Sequence, residues 1–246
     1  MDIHYFDSYA QMSSNAACLV YDALKQKEDL LLCAASGDSP KGTYRELTDK
    51  YSGNPSTFRK LRLLKLDEWG GVPMDNPQTC ETFLQEVLVK PLHVDLPRYI
   101  SFESNSSDPE SECRRIASWL QSNGPIDVCV LGLGRNGHVA FNEPGEYLSP
   151  YCHQTDLSKE SLEHAMARKM EAVPTYGLTI GMANILQSKK IILLMTGEGK
   201  DQIAEEFYSQ RISSLFPASF LWLHAHVECL VDTNSIKTSS IGKLKF

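Results

Sequence analysis

The sequence predicts an α/β fold in which a mostly parallel sheet is covered by helices on both faces. Three observations carry this expectation. Short, wholly apolar runs recur along the chain. They alternate with stretches whose apolar residues fall at helical spacing. The most polar, Gly-rich stretches each follow an apolar run. Strands buried on both faces read as continuous apolar runs, and their alternation with helices is the pattern of parallel crossovers.

Taken in order, residues 9–27 place Met12, Ala16, Leu19, Val20, Ala23 and Leu24 on one helical face. Leu30–Ala35 is an apolar run that ends in Ser36-Gly37-Asp38-Ser39-Pro40, which reads as a strand, a turn and a helix from about Lys41. Leu61–Leu66 is the next strand and runs straight into Asp67-Glu68-Trp69. Cys80–Val89 and Glu110–Gln121 read as helices, and Ile126–Leu133 is the clearest buried strand. Tyr176–Leu186 is expected to be helical, Lys190–Thr196 a strand and Lys200–Tyr208 a helix. Phe220–Leu223 and Cys229–Val231 are short strand candidates. The polar stretch Ser104–Glu112 is too short to divide two domains, and no other linker or repeat interrupts the chain. One domain over residues 1–246 is expected, a Rossmann-like three-layer α/β sandwich. No C-terminal extension able to carry an allosteric site is expected after the last strand candidates.

Composition removes several classes of function. Hydrophobic residues make up 42% and charged residues 22% of the 246, which argues for a packed core rather than disorder. Lys and Arg number 24 against 31 Asp and Glu, a net charge of -7, so the basic stripe of a nucleic-acid binder is not expected. A small anionic ligand remains open, because a few local donors hold one phosphate against the overall field. The first 32 residues lack a basic stretch followed by an apolar one, and no run approaches ~18 apolar residues. Neither a signal peptide nor a membrane span is expected. Seven cysteines without a C-x-x-C pair fit reduced, mostly buried thiols in a cytoplasm better than disulfides or a zinc site. No H-x-x-x-H or H-E-x-x-H spacing marks a metal site.

In open parallel sheets ligands bind beyond the carboxyl ends of the strands, so the stretches that follow strands hold the candidates. Ser36–Ser39 combines a small turn with a helix start. It reads either as an anion site or as an ordinary cap, with Ser39 or Asp38 capping and Pro40 at the first helical position. Asp67 and Glu68 are either surface acids in a turn or a place for a general base whose pKa burial raises. Gly132–Gly145 (GLGRNGHVAFNEPG) carries three glycines in six residues, and His138 and Glu143 lie five apart. A carboxylate there can fix the tautomer of a proton-moving histidine, against the plainer reading of a structural one. Asn142-Glu143-Pro144 interrupts any helix after this loop, which argues against a dinucleotide fingerprint. Lys200 in Thr196–Lys200 (TGEGK) is either an anion contact or a solvated lysine. His164, Arg168 and Lys169 form a basic cluster open to the same two readings.

These segments resemble the glucosamine-6-phosphate deaminase/isomerase family. LDEWGGVPMDNPQTCETF is similar to its DE-aromatic segment and LGLGRNGHVAFNEPG to its G-x-G-x-x-G-H-x-A-F-N-E-P segment. SGDSP stands where that family has its phosphate loop, and GLTIGMANIL and TGEGK follow in family order. The wording LDEW, CETF, NEPG and TGEGK is most similar to the galactosamine-6-phosphate branch. The resemblance implies that Asp67 is the base for the C2 proton, that His138 opens the pyranose ring and that Glu143 supports it. It implies a 6-phosphate held by Ser36, Gly37, Ser39 and Lys200, with His164, Arg168 and Gly137 as further substrate contacts. It implies a sugar phosphate as the partner, with no cofactor and no metal. The family assembles variously, so a homo-oligomer stays open.

Two positions depart from the family pattern. Asn136 stands where Asp is usual; its amide oxygen is expected to orient the ring N–H of His138 without charge, and Glu143 to carry more of the relay. Asp38 stands where Gly is frequent and is expected to cap the helix rather than face a phosphate. The rival readings are a 6-phosphogluconolactonase, which shares the G-x-G-x-x-G-H loop, and a non-catalytic sugar-phosphate sensor. Phe141-Asn142-Glu143-Pro144 favours the deaminase over the first, and retention of Asp67, His138 and Glu143 argues against the second.

Overall fold

The computed structural model describes residues 1–237. Its strands are β1 (Asp2–Phe6), β2 (Leu31–Ala34), β3 (Arg62–Lys65), β4 (Asp67–Gly70), β5 (Tyr99–Ile100), β6 (Val128–Gly132), β7 (His153–Thr155), β8 (Tyr176–Thr179), β9 (Lys190–Met195) and β10 (Val227–Asp232). Its α-helices are α1 (Tyr9–Gln26), α2 (Asp38–Gly53), α3 (Cys80–Leu84), α4 (Pro109–Asn123), α5 (Lys159–Leu162), α6 (Ala165–Arg168), α7 (Met182–Leu186) and α8 (Asp201–Tyr208).

Seven strands pair in the order β1-β10-β9-β6-β2-β3-β5, and every pairing in this sheet is parallel. Successive strand residues feed opposite faces. Leu31, Cys33, Cys129, Leu131, Ile191 and Leu193 pack with Ile116 of α4, Ile185 of α7 and Phe207 of α8. Leu32, Ala34, Val128, Val130, Ile192 and Leu194 pack with Met12 and Leu24 of α1, Leu47 of α2 and Leu84 of α3. Helix, sheet and helix thus form three layers, and this two-faced burial is why the strands are apolar throughout.

A second, antiparallel sheet pairs β4, β8 and β7. Only Leu66 separates β3 from β4, and it belongs to both sheets. Its N–H donates to Ala34 O of β2 (3.1 Å), and its carbonyl accepts from Ile180 N beside β8 (3.1 Å). The chain therefore turns a corner between the two sheets at the carboxyl end of β3.

The structure corrects several sequence expectations. Tyr176–Leu186 is not one helix: Tyr176–Thr179 is β8, paired on both sides, and only Met182–Leu186 is helical. The pairing of β8 with both β4 and β7 overrides the apolar spacing, and Gly177 lets Phe141 approach so closely that a Cβ would stand 2.9 Å from its ring. Asp67-Glu68-Trp69 is strand rather than turn. Phe220–Leu223 lies in a 3₁₀ segment, Pro217–Leu223, opened by a proline that suits a first helical position. Strands β1, β5 and β7 had no apolar run long enough to reveal them. Residues 238–246, on which the expectation about a C-terminal extension falls, lie outside the described residues.

No helix among the described residues is long and apolar enough to cross a membrane. The seven cysteines are unpaired, and Cys33, Cys80, Cys113, Cys129 and Cys229 are buried.

Candidate active site

Strand β2 lies between β6 and β3, and the chain leaves it toward β3 before returning to its other side at β6. Such a reversal opens a crevice at the carboxyl ends of the strands. A cavity of about 910 Å³ occupies it, lined by the loops that follow β2, β6 and β9, by the start of β4 and by α5–α6. Six Lys or Arg side chains (Lys41, Arg45, Arg135, Arg168, Lys169, Lys200) line it against five carboxylates (Asp38, Asp67, Glu160, Glu163, Glu198). The excess of acid in the whole chain is reversed here.

On one wall, Gly37 occupies the cap position of α2 at φ +101°, a conformation that favours glycine. No side chain among the described residues caps α2, so the first N–H groups of a sixteen-residue helix stay available at the cavity. Neither Asp38 nor Ser39 is the cap that the sequence suggested: α2 begins three residues earlier than expected, with Asp38 as its first, exposed residue. Ser39 lies against the end of β6, where a Cβ on Gly132 would stand 3.5 Å from its side chain. Lys200 reaches across to donate to Leu133 O (2.6 Å). Burial, and then the nearby Arg135 guanidinium, pull this ammonium down to about 8. The His164 ring lies over the loop, with Cε1 3.7 Å from where a Gly37 Cβ would be. Arg168 lines the cavity as a largely exposed side chain, 3.8 Å from Glu163.

Across the cavity, β4 presents two neighbouring carboxyls with opposite fates. Glu68 is fully buried and saturated. Its oxygens accept from the N–H groups of Trp69 (2.8 Å), Cys80 (2.9 Å) and Glu81 (2.8 Å) and from Lys65 Nζ (2.6 Å). It fixes the start of α3 from a distance. Asp67 lines the cavity and is 8% exposed. Burial and then the Glu68 charge push its carboxyl up, against Lys65 and a hydrogen bond from the Cys80 thiol, to about 7. A carboxylate at that value is a usable base at neutral pH.

The third wall is the loop after β6. Gly134 lies directly beneath the His138 ring, where a Cβ would come within 2.2 Å of Cδ2. Val139 and Asn142 close a tight turn in which Ala140 takes φ +53°. Sparsely populated backbone of this kind in a non-Gly residue recurs at functional sites. His138 Nδ1 lies 3.2 Å from Glu143 Oε2, which leaves Nε2 for the cavity side. Burial alone would raise the Glu143 carboxyl. The hydrogen bond and charge of His138, with the Ser161 hydroxyl and the Asn136 amide, outweigh it and hold the group at about 2.

Asn136 does not touch the imidazole as expected. Its Oδ1 accepts from the His138 backbone N–H (3.1 Å), and its Nδ2 donates to Glu143 Oε2 (2.8 Å) and Ser158 Oγ (3.1 Å). An amide can brace a carboxylate by donating to it, which a second carboxylate could not do. Gly137 is also not at the cavity wall. Its φ of +86° closes the turn, and Phe216 packs where its side chain would be.

Three residues were missed by sequence reasoning. Cys80 receives a hydrogen bond from Ser36 Oγ (3.0 Å) and joins the Ser36–Ser39 loop to Asp67. Trp69 packs its ring against Phe141 (4.5 Å between centroids), fixing β4 to the His138 loop. Ser161 contacts both His138 and Glu143. Only the last had a readable signal, the Ser158-x-x-Ser161 helix start after Leu157. No group of three His, Cys, Asp or Glu converges as a metal site among the described residues.

The parallel three-layer sheet, with an uncapped helix start and several acid/base groups facing one crevice, defines a Rossmann-like α/β protein. The chain belongs to the glucosamine-6-phosphate isomerase/6-phosphogluconolactonase family, which it matches over residues 7–230. It is 38% identical over 227 residues to "Putative deaminase AgaI" of Escherichia coli (strain K12), covering 92% of this chain and 90% of that protein. It is 36% identical over 237 residues to glucosamine-6-phosphate deaminase of Bacillus pumilus (strain SAFR-032), covering 94% and 97%. Among solved structures, a monomeric glucosamine-6-phosphate deaminase of the NagB superfamily superposes with a TM-score of 0.91 at 33% identity, over 96% of this chain and 98% of that one.

Proposed function

We propose that the protein is an amino-sugar 6-phosphate deaminase/isomerase, converting galactosamine 6-phosphate or glucosamine 6-phosphate, with water, to a ketohexose 6-phosphate and ammonia. One observation carries the reading: a buried carboxyl at about 7, Asp67, faces a cavity whose other walls hold an uncapped helix start and a His–Glu pair. The 6-phosphate fits the Ser36–Ser39 loop, where backbone N–H groups, the α2 dipole and Lys200 favour a dianion. This remote grip fixes the reacting carbons. His138 Nε2 serves the ring oxygen and the anomeric hydroxyl as the pyranose opens, with Glu143 steadying the imidazole. Asp67 then takes the C2 proton and returns it toward C1. Water adds at the resulting C2 imine, and ammonia leaves. The LDEW, CETF, NEPG and TGEGK wording supports galactosamine 6-phosphate as the preferred epimer.

The test is ammonia release from the two amino-sugar phosphates side by side, with 6-phosphogluconolactone hydrolysis measured in parallel. Ammonia and ketose phosphate in equal amounts support the reading. Lactone hydrolysis without ammonia, or tight binding of an amino-sugar phosphate without turnover, overturns it.

A further inference from the structure

Helix α5 enters the catalytic network from outside the loop that carries His138. Ser161 is 2% exposed, and its hydroxyl donates to Glu143 Oε1. Ser161 Oγ also lies 3.3 Å from His138 Nδ1. Its backbone N–H is held by Ser158 Oγ (3.1 Å), which also accepts from Asn136 Nδ2 (3.1 Å), while Ser158 N donates to Glu143 Oε1 (3.4 Å). Glu143 is thus gripped from two sides, its Oε2 by Asn136 and His138 and its Oε1 by the two serines. The His138 contact, at 3.2 Å, is the longest of its side-chain contacts. Where that carboxylate points therefore depends on what holds its far oxygen.

We propose that Ser161 is a positioning residue that fixes the His138 tautomer by pinning Glu143 and by sharing the Nδ1–H. The inference rests on the deaminase reading for its kinetic consequence but not for its structural one. Glu143 is an acceptor only, so the proton facing it sits on His138 Nδ1. A hydroxyl that gives its hydrogen to Glu143 turns its lone pairs to the same Nδ1–H. Both contacts place the proton on Nδ1 and leave the Nε2 lone pair for the substrate. Groups that orient a working histidine through a carboxylate typically matter about 10- to 100-fold at metal sites, and the same geometry operates here without a metal. Ser161 lines the cavity at its His138 wall rather than at the Ser36–Ser39 loop, so its removal should spare the grip on a phosphate.

The experiment pairs Ser161→Ala with Ser161→Thr, which restores the hydroxyl, and reads two quantities. Nitrogen-15 NMR of labelled histidine, with the His138 signals assigned through His138→Gln, reports the tautomer. Steady-state ammonia release reports kcat and KM. The expected result is an Nδ1–H tautomer in the wild type, a mixture in Ser161→Ala and recovery in Ser161→Thr. In parallel kcat should fall about tenfold with KM within about twofold, and Thr should restore it. A tautomer unmoved in Ser161→Ala overturns the proposal whatever kcat does. If the wild type releases no ammonia, the deaminase reading fails and the tautomer measurement still decides the role of Ser161. If Ser161→Ala does not fold, Ser161→Cys, a weaker donor of similar size, takes its place with a partial shift expected and no shift overturning the proposal.

Discussion

Asp67 and Glu68 are adjacent on β4, yet one carboxyl faces the cavity while the other is saturated by three backbone N–H groups and Lys65. The alternation of a strand separates them, so the buried Glu68 charge raises its neighbour without competing for the substrate.

This arrangement fixes a pH window. On the proposed function, Asp67 must be ionised to accept a proton, and Lys200 must be protonated to hold a phosphate. The free-enzyme values near 7 and near 8 therefore bound kcat/KM, which should rise through about 7 and fall above about 8. A kcat/KM profile against pH checks both limbs, and Lys200→Arg should move only the alkaline one upward.

Replacing the base should trade activity for stability. Asp67→Asn should lower kcat by about 10²- to 10⁴-fold. A carboxyl raised from 3.8 to about 7 favours the folded state at low pH and loses that advantage as pH rises through 7. The amide has no such penalty, so the variant should melt no higher than wild type near pH 4 and several degrees higher at pH 8. The gap corresponds to no more than about 4 kcal/mol. Thermal melts at the two pH values, at equal ionic strength, measure it.

Glu143 behaves in the opposite sense. Held at about 2, it contributes stability above its ordinary range that is lost only as pH falls toward 2, so it stays ionised across the whole window of activity. Glu143→Gln should lower kcat about 10- to 100-fold while KM for the phosphorylated sugar changes little. Steady-state kinetics at pH 7.5 separate the two effects.

Gly134 gives a steric test. A methyl group there would meet the His138 ring at 2.2 Å, in a loop whose neighbouring turn is fixed by Gly137 and Phe216. Gly134→Ala should displace the imidazole and lower kcat at least tenfold, while circular dichroism and the melting temperature stay near wild type.

The buried strands were legible because a strand covered on both faces must be apolar throughout, as at Ile126–Leu133 and Lys190–Thr196. The short strands of the second sheet were not. Their pairing comes from tertiary contacts, and β8 carries the apolar spacing of a helix until β4 and β7 claim its backbone. At the site, the sequence placed Asp67, His138 and the Ser36–Ser39 turn at strand ends, where the structure has them lining one cavity. The resemblance singled out Asp67, but spacing alone could not separate it from Glu68, because that distinction depends on α3 folding back onto one carboxyl. The sequence reading also misjudged Asn136 and Asp38. Which atom an amide offers, and where a helix begins, depend on partners distant in the chain.

Leu66 joins the two sheets through the opposite ends of one residue. On the proposed function, the anchor for a phosphate hangs on the parallel sheet, whereas the carboxylate base Asp67 rides on the small antiparallel one. On that reading the two halves of the task are mounted on separate frames, and Leu66 is the shortest of the chain's four crossings between them. Such a division is a route to diversification: mutations confined to β7, β8 and their connections can reshape the space above Asp67 for another sugar while the anchor and its helix stay intact.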